Sequence, residues 1–369
     1  MELNFGKLGF GFLRLPHTDP NDISTVDVEE TKKMVDLFLS RGFRYFDTAY
    51  TYLRYKAEDV LRQVLVERYP RDSYMIASKL PCGALRKGKT AQGIFQGQLT
   101  KCGVDYFDVY LLHGLDAEDA VYAQEQGCFE FLKSLKETGK ARYIGFSFHD
   151  TAEALDAILT RHPEVDVVQI QLNYLDWDHE IIQSGACYDV CRKHGKPIIV
   201  MEPVKGGTLA KLPEQAAALL DGESPARRAI RFAASQSGVA VVLSGMSDMA
   251  QMEDNTACMQ DFQPLTKREN QVLQQVKKIV REAVPIACTG CAYCLEGCPI
   301  NLPIPQYFSL YNAQALDGWQ ANAKERYQKL AKTFPAAQAC IRCGSCEKLC
   351  PQKLPIRQNL KLVSETFDK

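Results

Sequence analysis

Eight of the 14 cysteines follow residue 287 and form two runs with one spacing. The runs are Cys288, Cys291, Cys294 and Cys298, followed by Pro299, and Cys340, Cys343, Cys346 and Cys350, followed by Pro351. Gaps of two, two and three residues before a Cys-Pro pair are the bacterial spacing for four-iron four-sulfur (4Fe-4S) clusters. The sequence therefore predicts two such clusters as cofactors, held by these eight thiolates.

The last cysteine of each run is expected to serve the other cluster, as it does in two-cluster ferredoxins. Cys350 would then complete the cluster of the first run, and Cys298 that of the second. Paired cysteines also bind zinc, but a zinc site needs four ligands in two pairs. Two four-cysteine runs with identical gaps and a following proline favour iron-sulfur clusters over zinc.

A different set of reactive side chains follows apolar runs in the first part of the chain: Asp47, Tyr52, Lys79 and His113. Each one alone has an ordinary structural explanation, such as a helix cap or a solvated charge. Together they form one chemical device. A phenol has a pKa of about 10, and a nearby ammonium stabilises the phenolate and lowers that value. A carboxylate can hold the ammonium, and an imidazole can hydrogen-bond a carbonyl oxygen.

The elements that must position these residues are eight short apolar runs rich in Val, Ile, Tyr and Phe. They are Leu8–Leu13, Phe43–Asp47, Tyr74–Ser78, Phe107–His113, Ala141–Ser147, Asp166–Gln171, Pro197–Met201 and Val239–Ser244. Mostly unalternating runs of this length predict strands buried on both faces. Helical periodicity separates them, as in Val28–Arg41, which Gly42 is expected to end.

Eight strand-helix alternations within about 260 residues predict a (β/α)8 barrel, whose chemistry lies at the C-terminal ends of the strands. A doubly wound sheet is the competing interpretation. It should carry a glycine-rich turn after its first strand. Gly9-Phe10-Gly11 lacks the third glycine, and no GxxxxGK[ST] occurs. The barrel is therefore favoured.

The cysteine-rich tail shows no strand pattern. We predict a polar bridging helix at Thr266–Ala283, and then helices at Gln306–Leu316 and Trp319–Phe334, broken at Asp317-Gly318. The expected domains are a barrel over residues 1–262, a helical linker over 263–287 and a two-cluster domain over 288–369. The fold class is thus α/β: a TIM barrel with a second, smaller, mainly α-helical ferredoxin-like iron-sulfur domain.

Composition excludes several classes of protein. The net charge of −1 argues against a nucleic-acid partner, and 46% hydrophobic with 24% charged residues is ordinary for a globular chain. The first residues carry no basic and apolar leader, and no apolar stretch approaches 18 residues. We therefore expect no membrane partner. Clustered cysteines without an export signal predict a reducing, cytoplasmic location.

The first 262 residues resemble the aldo-keto reductase family. The resemblance is carried by Gly42–Tyr52, in which a gap of five residues from Asp47 selects Tyr52, and by the segments Ile76–Lys79 and Asp108–His113. It implies that Tyr52 acts as the acid, with Lys79 tuning it. It also implies that Asp47 supports Lys79 and that His113 orients the carbonyl group.

The same resemblance implies a nicotinamide cofactor bound without a Rossmann motif. The residues implied to contact it are Ser147 and Gln169 at the carboxamide, Met201 at the ring, Lys205 and Gly206 at the pyrophosphate, and Asp254 and Asn255 near the adenine. NADPH-specific relatives carry two cations in the loop after strand 8, where this chain has Gly245 and Gln251. We therefore expect weak preference for NADPH, or preference for NADH.

The tail resembles the ferredoxin-like domains of respiratory and anaerobic dehydrogenase subunits. The 41 residues between Cys298 and Cys340 are more than a compact ferredoxin needs, which indicates a helical variant.

Three functional hypotheses follow. The first is a carbonyl reductase or alcohol dehydrogenase that uses NAD(P)H on a small substrate. The second is a carbonyl reductase fed by a ferredoxin or another redox partner through the clusters, with a flavin as intermediary. The third is a non-enzymatic redox or nucleotide sensor.

Overall fold

The computed structural model describes residues 5–19, 22–315 and 323–368. The described residues form two compact units. The first contains residues up to 203 together with 229–265, and the second contains 204–228 together with 266 onwards.

The first unit is built on a closed barrel of eight parallel strands in sequential order. The strands are β1 (Lys7–Gly11), β2 (Tyr45–Asp47), β3 (Met75–Leu80), β4 (Phe107–Leu115), β5 (Ala141–Phe148), β6 (Val167–Gln171), β7 (Ile198–Met201) and β8 (Val239–Ser244). The barrel closes where β1 pairs with β8, with Leu8 beside Val242. The prediction of a (β/α)8 barrel is confirmed.

Side chains from several strands fill the barrel interior. Tyr45, Val109, Leu111, Val167 and Val241 belong to one buried cluster, which explains why these runs are apolar without alternation. Hydrophobic burial of this kind is the main source of stability for a barrel.

Helices follow the strands. In the first unit they are Val28–Ser40, Ala57–Leu61, Ala91–Cys102, Ala117–Glu125, Cys128–Glu137, Ala152–Arg161, Ser184–Lys193 and Met249–Gln260, with shorter turns at Arg62–Val66, Arg71–Ser73 and Cys82–Leu85. The helix Pro225–Ala234 continues across the division at residue 228. Asp27 caps the first helix by accepting a hydrogen bond from the Glu30 N–H.

The regular elements among the described residues of the second unit are all helices, joined by irregular segments. Its elements are Lys205–Ala210, Glu214–Ala217, Ala218–Leu220, Lys267–Ala283, Tyr293–Glu296, Ile304–Ala315, Ala323–Ala331, Ala337–Ala339, Ser345–Lys348 and Ile356–Phe367. Phe308, Tyr327 and Leu360 are buried in its core. The predicted break at Asp317-Gly318 and the predicted helix start at Trp319 lie outside the described residues.

The helix Lys267–Ala283 begins with a capping box between Thr266 and Glu269. It buries Leu273, Val276 and Val280. The contacts group it, with residues 204–228, in the second unit, whereas the sequence suggested a linker. The grouping of 204–228 depends on contacts between residues far apart in the chain, which local patterning does not reveal. No helix among the described residues is long and apolar enough to cross a membrane.

Candidate active site

Three neighbouring strands and one turn carry the four residues that the sequence singled out. Asp47 ends β2, Lys79 lies near the end of β3 and His113 lies near the end of β4. Since β2, β3 and β4 pair in parallel, their C-terminal ends lie at one end of the barrel. Tyr52 begins the turn Tyr52–Tyr55, which follows β2.

The Lys79 ammonium lies between the other groups. Its Nζ donates to Oδ1 of Asp47 at 2.6 Å and to the carbonyl oxygen of Thr48 at 2.9 Å. It also lies 3.4 Å from the hydroxyl oxygen of Tyr52. The side chains of Lys79 and Asp47 are 0% and 3% exposed. The His113 ring packs edge-on against the Tyr52 ring, with centroids 5.8 Å apart. The structure thus brings all four predicted residues together.

Tyr52 is presented by an unusual backbone turn. The next three residues, Leu53, Arg54 and Tyr55, have φ angles of 51°, 54° and 70°. None is a glycine, and the left-handed region costs roughly 1–2 kcal/mol for each such residue. Tyr52 itself is 7% exposed. Strain of this kind persists where surrounding packing over-determines the backbone, and it is common at functional sites.

Burial sets the protonation behaviour of the group. Desolvation raises the pKa of Asp47, although the Lys79 charge opposes the shift, and it lowers the pKa of Lys79, which Asp47 opposes. Desolvation, together with the charges of Lys79 and His149, holds the pKa of His113 well below its usual value. His113 is therefore neutral near pH 7 and can donate a hydrogen bond as an uncharged imidazole.

A second buried network of side-chain hydrogen bonds lies beside Lys79, and it was not predicted from the sequence. The Glu58 Oε1 atom accepts hydrogen bonds from Ser78 Oγ at 2.9 Å and Gln98 Nε2 at 2.6 Å. Gln98 Nε2 also lies 3.1 Å from the Lys79 carbonyl oxygen, and its Oε1 accepts from Tyr110. The sequence carries little signal for it, because Glu58 stands beside a second acid, Asp59, in the short helix Ala57–Leu61.

The residues expected near the carboxamide lie on adjacent strands. Ser147 of β5 is paired in register with Gln169 of β6, and both are buried. Ser147 Oγ accepts from the Gly114 N–H at 2.7 Å, and Gln169 Nε2 lies 3.4 Å from the Met201 sulfur. Among the described residues, Gln169 Oε1 has no hydrogen-bond partner. A buried free acceptor fits an amide donor from a nicotinamide.

The loop after β8 begins a helix at Met249, capped by Asp248. Both carboxylate oxygens of Asp248 accept from Gln251, one from its N–H and one from its side chain. The Asn255 amide donates to Ser244 Oγ at 3.0 Å. Asp254 follows in the same helix. The Arg14 side chain lies beside this loop, and sequence spacing did not reveal it. Its carbons would be 3.1 Å from a Cβ built on Gly245. Arg14 pairs with Glu202 at 3.5 Å.

Lys205 and Gly206, expected at the pyrophosphate, belong to the second unit. Lys205 is 2% exposed, and its Nζ lies 3.4 Å from Oε1 of Gln352. A Cβ on Gly206 would overlap the backbone of Thr289. The structure therefore gives these residues neighbours in the cysteine-rich part of the chain, which spacing alone did not indicate.

Four cysteines of the second unit line one cavity, and they are the set expected for the first cluster: Cys288, Cys291, Cys294 and Cys350. Ile304 and Phe308 supply apolar wall. Within residues 5–19, 22–315 and 323–368, no three His, Cys, Asp or Glu side chains converge on a point that could hold a metal ion. Four thiols around one cavity are the ligand set that a 4Fe-4S cluster requires.

Residues of the other set are neighbours as well. Burial and the nearby charges of Glu347, Cys340 and Cys298 raise the pKa of Cys346 to about 11. The Leu302 N–H donates to the Cys298 sulfur at 3.3 Å. Three of the four cysteines expected for the second cluster are thus close together, and Cys343 is exposed.

A barrel with an ammonium-linked phenol at the ends of its strands defines an oxidoreductase-like site, and sequence comparison assigns the family. Residues 7–278 match the sequence model of the Aldo/keto reductase family, and residues 287–354 match the 4Fe-4S dicluster domain. The chain belongs to the aldo/keto reductase family and carries a C-terminal, helical 4Fe-4S ferredoxin-like region.

Individual proteins agree with this assignment. An aldo-keto reductase from Mycobacterium avium is 28% identical over 212 residues, which are 57% of this chain and 70% of that protein. The holo form of aldo-keto reductase AKR11C1 from Bacillus halodurans matches with a TM-score of 0.58 and 22% identity, over 73% of this chain and 91% of its own. An aldo-keto reductase from Klebsiella pneumoniae, solved in complex with NADPH, has a TM-score of 0.58 and 19% identity, over 74% and 90%. At these identities the two structures show a shared fold.

Proposed function

We propose that the protein reduces an aldehyde or ketone to an alcohol, or catalyses the reverse reaction, with NAD(P)H. The observation that carries this proposal is the position of Lys79 Nζ, 2.6 Å from Asp47 and 3.4 Å from the Tyr52 hydroxyl. A phenol beside a buried ammonium can give up its proton and take it back at modest cost. Such a group suits a reaction in which an alkoxide forms and must be protonated.

Tyr52 is the general acid in the direction of reduction, and its hydroxyl delivers a proton to the carbonyl oxygen of the substrate. In the oxidative direction the phenolate takes the proton back. Lys79 stabilises that phenolate, and Asp47 offsets the cost of burying the ammonium. Neutral His113 donates a hydrogen bond to the same oxygen and shares its developing charge. Burial of the group keeps bulk water from competing for the proton.

A nicotinamide nucleotide supplies the hydride when it is bound. Gln169 Oε1 and Ser147 Oγ would hold its carboxamide, and Met201 would lie against its ring. Asp254 and Asn255 would contact the adenine end of the nucleotide. The NADPH bound to the Klebsiella protein supports a nucleotide of this class.

Preference for NADH, or weak preference for NADPH, belongs to the same proposal. The helix start where a 2′-phosphate would seek donors already carries the Asp248 carboxylate, which accepts from Gln251. A second anion there would meet repulsion and few free donors. Stopped-flow binding should give comparable Kd values, or a lower one for NADH. A hundredfold advantage for NADPH would contradict the proposal and would direct attention to Arg14.

The cysteines are proposed to hold two 4Fe-4S clusters. Cys288, Cys291, Cys294 and Cys350 would bind one, and Cys298, Cys340, Cys343 and Cys346 the other. The cavity lined by the first four thiols supports this division. Bound clusters supply one-electron chemistry or structural cross-linking. We also propose domain boundaries near residues 262 and 287, and a cytoplasmic location for the protein.

The proposed clusters also allow a second candidate function, in which a ferredoxin or similar donor feeds electrons through them. A hydride carries two electrons and a cluster passes one, so this reaction would need a flavin. The test is anaerobic purification, iron, sulfide and flavin analysis, and NADH or NADPH oxidation against a panel of small aldehydes. Aldehyde-dependent NAD(P)H oxidation without flavin supports the first function. Stoichiometric flavin with no such oxidation supports the second, and nucleotide binding without turnover supports a sensor.

A further inference from the structure

Lys205 and Gly206 stand out because the proposed chemistry of the barrel leaves them without a role. Both lie in the segment Lys205–Ala210 of the second unit. The Lys205 Nζ lies 3.4 Å from Gln352 Oε1, and the two residues are 2% and 5% exposed. Burying an ammonium costs several kcal/mol unless nearby groups compensate for the lost hydration. The contact with Gln352 places this positive charge next to a residue of the cysteine-rich part of the chain.

Gln352 connects Lys205 to the proposed first cluster. Gln352 lines the same cavity as Cys288, Cys291, Cys294 and Cys350. Backbone N–H groups of Leu354, Gln352 and Lys353 hydrogen-bond the Cys350 thiol. One residue thus donates to a ligand sulfur through its backbone and accepts from Lys205 through its side chain.

Gly206 contributes a close backbone approach on the same cavity. Thr289 lines the cavity and follows the ligand Cys288. A Cβ at Gly206 would overlap the Thr289 backbone, so this approach requires glycine. Both glycines have a positive φ angle, 63° at Gly206 and 100° at Gly207. A Cβ at Gly207, however, would meet no atom within 4 Å. The two glycines differ in what surrounds them rather than in the sign of their φ angles.

We propose that Lys205 and Gly206 form part of the wall of the first cluster site, and that the Lys205 ammonium raises the reduction potential of that cluster. The inference rests on the proposed ligand set of Cys288, Cys291, Cys294 and Cys350. Four thiolates give a 4Fe-4S cluster a net negative charge, which becomes larger on reduction. A buried cation nearby stabilises the reduced form more than the oxidised form. Net charge, hydrogen bonds to sulfur and solvent exposure are established determinants of such potentials.

The test is a potentiometric titration of the anaerobically purified holoprotein, followed by electron paramagnetic resonance. Lys205→Met should shift one of the two clusters to a more negative potential and leave the other unchanged. Lys205→Arg, which retains the charge, should shift it less. The matched control is Lys211→Met, at the exposed lysine directly after the segment Lys205–Ala210, which should leave both potentials unchanged. Unchanged potentials in Lys205→Met would overturn the proposal, as would equal shifts in both clusters.

Nucleotide binding gives an independent readout. If Lys205 instead grips a pyrophosphate, Lys205→Met should weaken NADH binding many-fold and leave both potentials unchanged, which would overturn the inference. If Lys205→Met loses iron, so that its potentials cannot be compared, variants of the two glycines test the cluster wall instead. Gly206→Ala should lose one cluster's iron while Gly207→Ala retains it, and equal iron in these two variants would overturn the proposal. Iron analysis of the unmodified protein tests the ligand set separately, because without two clusters the proposed function fails first.

Discussion

Lys79 and Asp47 form a buried ion pair, with Nζ and Oδ1 2.6 Å apart and side chains 0% and 3% exposed. They come from adjacent parallel strands, β3 and β2, and the Tyr52 hydroxyl lies 3.4 Å from the same Nζ. Each charge is tolerated because the other is present. The pair therefore links the stability of the barrel to the chemistry of the proposed acid.

Lys79→Met should remove both the tuning cation and the partner of Asp47. We expect carbonyl reduction to fall by about 10²-fold or more, in the range found when a proton-transfer device is disrupted. We also expect a loss of about 3–5 kcal/mol in the free energy of unfolding, because a buried carboxylate is left unpaired. Urea unfolding and steady-state kinetics measure the two effects. The double variant Asp47→Asn with Lys79→Met should recover much of the stability and none of the activity. Equal destabilisation of the single and double variants would show that the pair is not coupled.

His113 should make the protein less stable in mild acid. Its pKa in the folded state lies well below 6.5, so the unfolded chain binds more protons at that residue below pH 6.5. Above that pH the imidazole is neutral in both states, so its protonation does not reduce the free energy of unfolding. Below it, the free energy of unfolding falls by up to about 1.4 kcal/mol for each pH unit. Unfolding free energies between pH 7 and pH 5 should fall less steeply in His113→Gln. Identical slopes in the two proteins would contradict a neutral, buried imidazole.

Glu58 should influence Lys79 without touching substrate, as a positioning residue. Its pKa is raised by burial, so its stabilising effect is present below about pH 4.5 and is lost as pH rises through the folded value. Glu58→Gln should therefore gain stability relative to the parent protein as pH rises from about 4.5. Because Glu58 favours the charged form of Lys79, the variant should also lower kcat several-fold with little change in KM. Ser40→Ala, at an exposed hydroxyl on another helix, is the control and should change neither property. A Glu58→Gln enzyme with unaltered kcat and an unaltered pH dependence of stability would refute the role.

The crossed ligand sets predict how cysteine losses combine. Cys288→Ser with Cys350→Ser removes two ligands of one proposed cluster and should cost about half of the iron. Cys346→Ser with Cys350→Ser removes one ligand from each cluster and should cost more. Cys187→Ser, at a buried cysteine of the barrel, should retain the full iron content. Iron and sulfide assays with electron paramagnetic resonance distinguish these outcomes. If the Cys288 and Cys350 pair of changes removed more iron than the Cys346 and Cys350 pair, the crossed assignment would be wrong.

The barrel and the four central residues could be predicted because their signals are local. Each strand is a short, mostly apolar run without strict alternation, and the observed bounds of β8, Val239–Ser244, equal the predicted ones. Asp47, Lys79 and His113 sit at or near strand ends, and parallel strands of a barrel bring those ends together. The five-residue gap from Asp47 to Tyr52 spans a single turn. None of these inferences required knowledge of a contact between distant residues.

The rest depends on contacts that spacing does not encode. Glu58 contacts Ser78 and Gln98, 20 and 40 residues away, and its burial was hidden in a short helix. The family resemblance implied a cofactor role for Lys205, yet its partner Gln352 is 147 residues further along the chain. Contacts with distant residues determine where these side chains lie. They could not be predicted, because the sequence around a charged side chain does not indicate which distant group it contacts.

The most direct test of the account is the reduction of an aldehyde in a single turnover by Tyr52→Phe. The matched control is Tyr50→Phe, since Tyr50 lies two residues away and contacts Lys89. We predict that Tyr52→Phe binds NADH or NADPH as tightly as the parent protein but transfers hydride about 10²–10⁴-fold more slowly, whereas Tyr50→Phe keeps the parent rate. Turnover by Tyr52→Phe at the parent rate would contradict the account, because proton delivery would then not depend on the phenol next to Lys79.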